Sequence, residues 1–433
     1  MLSVLRNRTY RHLFLAQIVA LIGTGLATVA LGLLAFDLAG AEAGKVLGTA
    51  LAIKMLAYIG VAPIAAAFAE RLPRRATLVT LDLIRGAVAL CLPFVTQIWE
   101  IYILIFVLQS TSAAFTPTFQ ATIPDILPDE EDYTRALSLS RLAYDLENVI
   151  SPMLAAALLS VISFHMLFAG TSIGFLLSAA LVVSVALPKA VAPKPRGIYE
   201  RTTRGIRTFL ATPRLRGLLA LNFAVAAASA MVIVNTVVLV QARFGLTQDA
   251  TAWALAAFGG GSMIAALVLP RLLRDIPDRT AMLYGGSILT AGMLLGTWLP
   301  SYALMLPLWT LLGIGYSLAQ TPSGRLLRRS SKAENRPSLF AAQFALSHAC
   351  WLVTYPIAGW LGAKMGLPLT FASLGVFAAF ALFVASKVWP KDDPDLLEHT
   401  HDDLPTSDTH LHNGEKRHRH EYVIDEHHPR WPS

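Results

Sequence analysis

The sequence predicts an all-α membrane protein in which twelve transmembrane helices form two six-helix halves. The first observation is composition, since 55% of the 433 residues are hydrophobic and 15% are charged, whereas soluble domains carry about 25% charged residues. The second is that apolar runs of about 20 residues, each long enough to cross a bilayer, recur along nearly the whole chain. The third is that landmarks of the first half return in the second half at nearly constant spacing.

The apolar runs place the spans at residues 13–37, 46–69, 76–97, 101–124, 138–162, 164–187, 217–241, 250–270, 280–299, 302–322, 338–361 and 366–389. No small-residue cleavage site follows the first run, so we expect it to remain as a helix rather than to be removed as a signal peptide. Cys91 and Cys350 both lie in apolar runs. They therefore offer neither a disulfide framework nor a Cys-based zinc site.

The loop charges predict the orientation of the chain. Lys and Arg lie almost entirely in the loops on one side, and the opposite loops hold only Lys45, Arg243 and Lys364. The positive-inside rule then places both termini in the cytoplasm. The net charge of +7 is mostly a consequence of this topology. It does not indicate nucleic-acid binding, because no polar globular segment carries the basic residues.

Three landmarks indicate an internal duplication. The segment from Pro63 is repeated from Pro270, an offset of 207 residues, and Phe115-Thr-Pro117-Thr is repeated as Gln320-Thr-Pro322-Ser, an offset of 205. The Ser151-Pro152 step is repeated as Tyr355-Pro356, an offset of 204. The shared offset predicts a duplicated six-helix unit. The domains are then an N-terminal half (1–187), a linker (188–216), a C-terminal half (217–389) and a tail (390–433).

Six plus six helices joined by a long basic loop resemble the major facilitator superfamily from residue 1 to about 390. The loop between spans two and three carries the resemblance, because the family pattern G-x-x-x-D-R-x-G-R-R stands here as AAFAERLPRR, starting at Ala66. Both family glycines are replaced. The resemblance implies a cytoplasmic gate that involves Glu70, Arg71 and Arg75. A loop that only sets topology is the alternative for the basic pair.

Residues 114–152 are similar to the exporter branch of that superfamily, which includes drug and siderophore carriers. Antiporters of the family carry a Gly-Pro step in the fifth span, and Ser151 replaces the glycine here. The resemblance therefore favours export over uptake, and it only suggests antiport.

Ionisable side chains within the predicted spans are functional candidates, because each costs at least about 2.5–3.5 kcal/mol to insert at the helix centre. The candidates for transport and coupling are Lys54, Asp82, Arg85, Arg141, Asp145 and Glu147. Arg141 and Asp145 are four residues apart, and Asp82 and Arg85 are three apart, so each pair can form an ion pair on one helix face. Both pairs could be purely structural.

Glu147 has no basic residue three or four positions away, so its partner must come from another helix. It lies near the middle of its span, where transporters of this kind place substrate and coupling-ion sites. We expect Glu147 and Asp145 to carry coupling. Lys54 also has no acidic neighbour in sequence, and it either pairs across helices or extends to the outer surface. His348 is either a packing residue held by a hydrogen bond or a residue that binds a proton or a metal ion.

The tail is acidic and rich in histidine, and its composition predicts disorder. Its histidines are His399, His401, His410, His412, His418, His420, His427 and His428. Imidazole and carboxylate without thiolate suit nickel, cobalt, zinc or copper(II), and an H-x-H pair places both rings on one side of an extended chain. The alternative is a solvated tail that acts in solubility or in pH response.

With this tail, the chain resembles the nickel-resistance efflux branch of the superfamily, which implies proton-coupled export of nickel, with cobalt as an alternative metal. The alternative is an exporter of a drug or siderophore with a regulatory tail, and a third possibility is a metal sensor that does not transport.

The chain has no P-loop and no hydrolytic constellation, so neither ATP-driven pumping nor an enzyme is predicted. No cofactor is expected. We expect a monomer in a bacterial inner membrane, working with a divalent metal or small-molecule substrate and protons, and without nucleic acid.

Overall fold

The computed structural model describes residues 2–39, 43–69, 72–188, 198–394, 396–400, 417–425, 427–428 and 431. The helices of the N-terminal half are α1 (Arg8–Ala39), α2 (Ala43–Ala69), α3 (Arg74–Cys91), α4 (Ile98–Ile126), α5 (Glu130–Leu159) and α6 (Phe164–Val183). A linker helix, α7 (Ile198–Ala211), follows. The C-terminal half contains α8 (Pro213–Val237), α9 (Gln248–Asp275), α10 (Asp278–Gly296), α11 (Tyr302–Gln320), the short α12 (Ser323–Arg329), α13 (Arg336–Met365) and α14 (Leu367–Val388).

The two halves repeat one packing pattern. In the N-terminal half α1 packs on α5 and α6, α2 on α4, and α3 on α4 and α6. The C-terminal half repeats these pairs, as α8 on α13 and α14, α9 on α11, and α10 on α11 and α14. The sequence landmarks lie in matching helices of the two sets. The predicted duplication is therefore visible in the packing, and the halves meet where α13 packs on α2 and α4 and where α5 packs on α9.

Within the described residues, eight helices are long and apolar enough to cross a membrane. The other long helices, α2, α5, α10 and α13, fall below that measure; α5 contains Arg141, Asp145 and Glu147. Four exposed tryptophans surround the end of the bundle at which α9 and α4 begin: Trp99, Trp253, Trp298 and Trp360. Such a ring of Trp side chains is typical of a membrane interface. We call this end the opposite face, and we call the end at which α1 begins and α14 ends the basic face.

The helix ends differ from the predicted spans where polar residues extend a helix beyond its apolar part. The fifth span was predicted to begin at 138, but α5 begins at Glu130. The Asp129 carboxylate accepts a hydrogen bond from the Asp132 backbone N–H (2.9 Å), and the first turn is acidic. Both features stabilise a helix N-terminus. Hydropathy does not detect this polar extension, which projects at the basic face.

The linker is partly helical and packed against the bundle. α7 contacts α2 and α13, and Phe209 is fully buried. At Gly205 a Cβ atom would lie 2.1 Å from the Ser338 carbonyl oxygen. Only glycine therefore allows α7 to approach the start of α13 this closely.

The tail departs from the predicted disorder. β1 (Leu396–Thr400) pairs antiparallel with β2 (Arg417–Glu421), with His399 opposite His418. The composition is poor in apolar residues, which is why it predicted disorder. The prediction overlooked the two-residue alternation, which places His399, His418 and His420 on the less exposed face of the hairpin. His401, His410 and His412 lie outside the described residues.

Candidate functional site: a cavity between the halves

A cavity of about 360 Å³ lies between the two halves. It is lined by α1, α2, α4 and α5 from one half and by α11, α12 and α13 from the other. Its polar groups are mostly hydroxyls, phenols and amides, such as those of Gln17, Tyr58, Tyr144, Tyr316 and Gln343. Among the described lining residues, Arg141 is the one that carries a permanent charge. The cavity thus combines aromatic surface with dispersed hydrogen-bonding groups.

Arg141 connects the halves in the cavity wall. Its guanidinium forms an ion pair with Asp145, as the four-residue spacing predicts, and its Nε donates to Ser262 Oγ on α9 at 3.1 Å. The guanidinium also lies 4.4 Å from the centre of the Tyr316 ring on α11. Asp145 is 2% exposed and compensates the charge of Arg141. The pair therefore acts as one neutral unit that spans the contact between α5 and the C-terminal half.

Glu147 lies on α5, three residues after the cavity-lining Tyr144. The positive charge that acts on its carboxylate is Lys54 on α2, and the Lys54 ammonium lies 5.5 Å from the centre of the Tyr58 ring. A Cβ at Gly25 on α1 would lie 2.2 Å from the Ser151 side chain and 3.0 Å from a Glu147 carboxylate oxygen. Gly25 therefore provides the space for a serine where the family has glycine.

His348 lies in an aromatic group on the other side of the cavity. Its ring contacts the Tyr58 ring (centroids 4.7 Å apart) and the Phe344 ring (4.3 Å), and its Nδ1 is 2.7 Å from the Phe344 carbonyl oxygen. Tyr58 donates to Gln109 (2.9 Å). The sequence analysis did not identify Tyr58, Gln17 or Tyr144, because uncharged polar residues in membrane helices are common and only packing shows which ones face a cavity.

Asp82 and Arg85 lie outside the cavity lining. Their ion pair forms within α3, Ser178 on α6 donates to Asp82 (2.7 Å), and the Arg85 guanidinium lies between the rings of Phe115 and Phe175, 4.0 and 4.5 Å from their centres. This arrangement joins α3, α4 and α6 inside one half. It fits the structural alternative for this pair.

At the basic face, ion pairs close the cleft between the halves. Asp125 at the end of α4 pairs with Arg74 (2.5 Å) and with Arg336 of the other half. Glu130 pairs with Arg325 (2.5 Å), and Glu131 pairs with Arg274. We call these three cross-half pairs the gate pairs.

The gate predicted from the family pattern is only partly described. Glu70 and Arg71 lie outside the described residues, and Arg75 is exposed. Its neighbour Arg74 makes the buried contact with Asp125. Asp125 was not identified from the sequence, because its partner Arg336 is 211 residues away.

The described tail histidines converge on one point. Potential ligand nitrogens of His399, His418 and His420 lie within 4.8 Å of one another, and His428 Nε2 lies 3.0 Å from His399 Nε2. The backbone N–H of His427 donates to Asp425 Oδ1 (3.0 Å). Burial favours the neutral form of Asp425, but hydrogen bonds from His428 and Lys332 hold its pKa well below the usual range.

Comparisons with known proteins support the fold. A family model of the Major Facilitator Superfamily matches residues 13–236 and 218–407. An uncharacterized MFS-type transporter from Bacillus subtilis, YfiS, is 22% identical over 333 residues, which is 74% of this chain and 79% of that protein. Macrolide efflux protein A from Streptococcus pyogenes is 26% identical over 153 residues, covering 33% of this chain and 38% of that protein.

Solved structures share the same architecture. The human organic anion transporter MFSD10 (TETRAN) superimposes with a TM-score of 0.77 at 12% identity, over 87% of this chain and 99% of that chain. A bacterial homologue of the iron transporter ferroportin, in its outward-facing state, gives 0.71 at 14% identity, over 88% and 98%. At these identities the likeness concerns the fold and does not identify a substrate.

Proposed function

This chain belongs to the Major Facilitator Superfamily of multi-pass membrane transporters, and from that premise we propose that it exports an organic small molecule in exchange for protons. The observation that carries the proposal is the cavity between the halves, with its volume of about 360 Å³ and its aromatic and amide lining. Pockets for drug-sized ligands begin at about 300 Å³ and combine apolar walls with a few polar groups. The partial relationship to a macrolide efflux protein agrees with export.

The cavity lining favours an organic substrate over a bare metal ion. Nickel and cobalt bind best to several imidazoles and carboxylates, whereas His348 is the one imidazole among the described lining residues. The nearby carboxylate of Asp145 is engaged by Arg141. An uncharged or weakly basic molecule with aromatic rings could stack on Tyr58, Tyr316 or Trp351 and bond to the glutamines.

Glu147 is the proposed proton carrier. It is a carboxylate near the middle of a membrane helix, where a charge is costly, and the positive charge that acts on it is that of Lys54 on a different helix. Protonation of Glu147 would remove the attraction between the two groups, and a movement of α2 relative to α5 would change the distance between them. This coupling between proton binding and helix position is what an antiporter requires.

The gate pairs indicate to which side of the membrane the cavity is closed. We place the basic face in the cytoplasm of a bacterial inner membrane, in agreement with the loop charges. Closed gate pairs then correspond to the outward-facing state of a monomeric exporter. Substrate entry from the cytoplasm requires Asp125–Arg336 and the other gate pairs to separate.

Export of a divalent transition metal, nickel or cobalt, by proton antiport is the second candidate. The observation in its favour is the histidine cluster of the tail, which could deliver metal to the basic face. Transport itself would then depend on Asp145 and Glu147, because a tail cannot carry an ion across a bilayer.

The test combines cells and vesicles. Cells that express the protein are challenged with erythromycin, ethidium, nickel and cobalt, and the cellular content of each compound is measured. Lower content of an organic compound with unchanged metal supports the first candidate, and the reverse result supports the second. In proteoliposomes, Glu147→Gln should abolish flux driven by a pH gradient, while Asp37→Asn, at an exposed carboxylate of α1, should leave it unchanged. Gradient-driven flux in Glu147→Gln would refute the coupling role.

A further inference from the structure

We propose that the folded tail forms a regulatory metal site, separate from the transport cavity, that stabilises the closed gate. The ligands are His399 on β1, His418 and His420 on β2, and His428 from the turn that follows. The ring centroids of His399 lie 4.8, 4.6 and 4.8 Å from those of the other three. Strand alternation places three of the rings on one face of the hairpin, and His428, 2% exposed, covers it.

The ligand set defines the class of metal. Imidazoles without thiolate suit zinc, nickel and copper(II). In a tetrahedral site with metal–nitrogen bonds of about 2.0–2.1 Å, ligand nitrogens lie about 3.3 Å apart. The His399–His428 nitrogens are already 3.0 Å apart. The other nitrogens, within 4.8 Å, need inward shifts of only about 1.5 Å, which side-chain rotation in a two-stranded hairpin can supply.

One of the four proposed ligands, His428, already has a hydrogen-bond partner outside the histidine cluster. His428 Nδ1 lies 2.9 Å from Asp425 Oδ1, so its Nε2 remains directed at His399 and the cluster. A carboxylate that accepts the second ring N–H of a metal-bound histidine fixes the ring and raises its basicity as a ligand. Asp425 is therefore a positioning residue of the site.

Asp425 also connects the site to the gate. Its second oxygen forms an ion pair with Lys332 (2.7 Å). Lys332 lies in the short segment between α12, which carries Arg325, and α13, which begins with Arg336. Both arginines belong to the gate pairs. A rigid, metal-bound hairpin held at Lys332 would restrict the movement of this segment that gate opening requires.

The root of the tail is attached to the same region. Asp393 pairs with Arg214 (3.1 Å), its carbonyl oxygen accepts from Arg329 (3.0 Å), and Trp431 lies on the Arg214 guanidinium at 4.9 Å. These contacts all involve the C-terminal half. The hairpin therefore moves with that half, and metal binding can reach its gate arginines through the segment that carries Lys332.

Metal binding is tested on the full chain in nanodiscs. Zn²⁺ or Ni²⁺ alone is titrated in competition with a chromophoric chelator. The His399→Ala/His418→Ala/His420→Ala variant should lose at least about 100-fold in affinity at the tightest site, and Asp425→Asn about 10-fold. His12→Ala, at a histidine of α1 outside the tail, is the matched control and should leave the affinity of the tightest site unchanged. His401, His410 and His412 are retained in all variants, so equal affinity in the triple variant and the control would overturn the site.

Coupling to the gate is a separate measurement. Spin labels at Ala76 and Asp275, one in each half near the basic face, report the distance between the halves in a background of Cys91→Ala and Cys350→Ala. Zn²⁺ should shift the distribution towards the short distance in the otherwise native chain. In Lys332→Gln the metal should still bind but the shift should disappear. A shift that persists in Lys332→Gln, or an absence of any shift on metal binding, would overturn the link to the gate. Neither result depends on which substrate the cavity transports.

Discussion

The two halves share a packing pattern but not a chemistry. Away from the span ends, the N-terminal half carries six Lys, Arg, Asp or Glu side chains, on α2, α3 and α5, whereas the C-terminal half carries His348. Asp37, His165 and Lys387 lie within two residues of a span end. In the fifth and eleventh spans the offset of 204 residues aligns Arg141 with Ala345, Asp145 with Ala349 and Glu147 with Trp351. The two halves therefore share their helix contacts, which depend on the size and shape of the side chains, whereas their charged residues differ.

From this difference we infer a division of labour, in which charged groups of one half respond to protons and the other half presents apolar, aromatic and amide groups to the cavity. Arg141 connects the two, because it pairs with Asp145 in its own half and bonds to Ser262 in the other. If this asymmetry is functional, substitutions in the two halves should differ in their effects on stability and on proton coupling.

Removal of Arg141 should have the largest effect. Arg141→Ala leaves Asp145, 2% exposed, as an uncompensated buried charge, and breaking such a pair costs about 3–5 kcal/mol. We expect a strongly lowered melting temperature in detergent and loss of transport. Arg75→Ala, at an exposed arginine, is the control. Equal stability of the two variants would show that Asp145 does not need this partner.

Asp82→Asn tests whether the Asp82–Arg85 pair serves stability or transport. Asn can keep the bond from Ser178, but it leaves Arg85 without its anion, and we expect a loss of about 1–3 kcal/mol in the free energy of unfolding. Flux per folded molecule should remain unchanged, because the pair lies outside the cavity lining. The measurement is transport normalised to folded protein, with Ser178→Ala as the milder change at the same contact. A selective loss of proton coupling in Asp82→Asn would place this pair in the mechanism.

Sequence reasoning succeeded where the signal is local. Apolar runs located the spans, and spacings of three and four residues predicted the Asp82–Arg85 and Arg141–Asp145 pairs. The duplication followed from three landmarks. These features depend on residues close in the chain or on a repeat, so no tertiary information was needed.

The rest depends on contacts between distant residues. The positive charge that acts on Glu147 comes from Lys54 on α2, and Asp125 pairs with Arg336 across 211 positions. No spacing rule can predict either interaction. The described part of the tail was misjudged for a different reason. Its two strands are held by backbone pairing and by imidazole contacts, and Asp393 and Asp425, which lie outside the strands, form ion pairs with the bundle. The alternation of His418 and His420 indicates a strand, but the polar composition of the tail favoured a prediction of disorder.

Loosening the gate should have an intermediate effect. Asp125→Asn removes the anion shared by Arg74 and Arg336, and we expect the closed state to lose about 1 kcal/mol relative to the open state. The distance between labels at Ala76 and Asp275 should then lengthen in part of the population. Asp132→Asn is the matched control, because its partner Arg135 lies in the same helix (2.8 Å). An unchanged distribution in Asp125→Asn would mean that the remaining gate pairs suffice.

Substitution of His348 should have the smallest effect, and it tests most directly whether the two halves differ in their response to protons. The offset of 204 aligns His348 with Tyr144, and both side chains line the cavity from opposite halves. If only the N-terminal half responds to protons, His348→Gln should alter substrate affinity by about 1 kcal/mol, roughly the contribution of one hydrogen bond, and leave the pH dependence of flux unchanged. Flux measured from pH 5.5 to 8 in proteoliposomes decides this, with Tyr144→Phe as the counterpart. A shifted pH profile in His348→Gln would show that both halves take part in coupling, and the division of labour inferred from the charges would then be wrong.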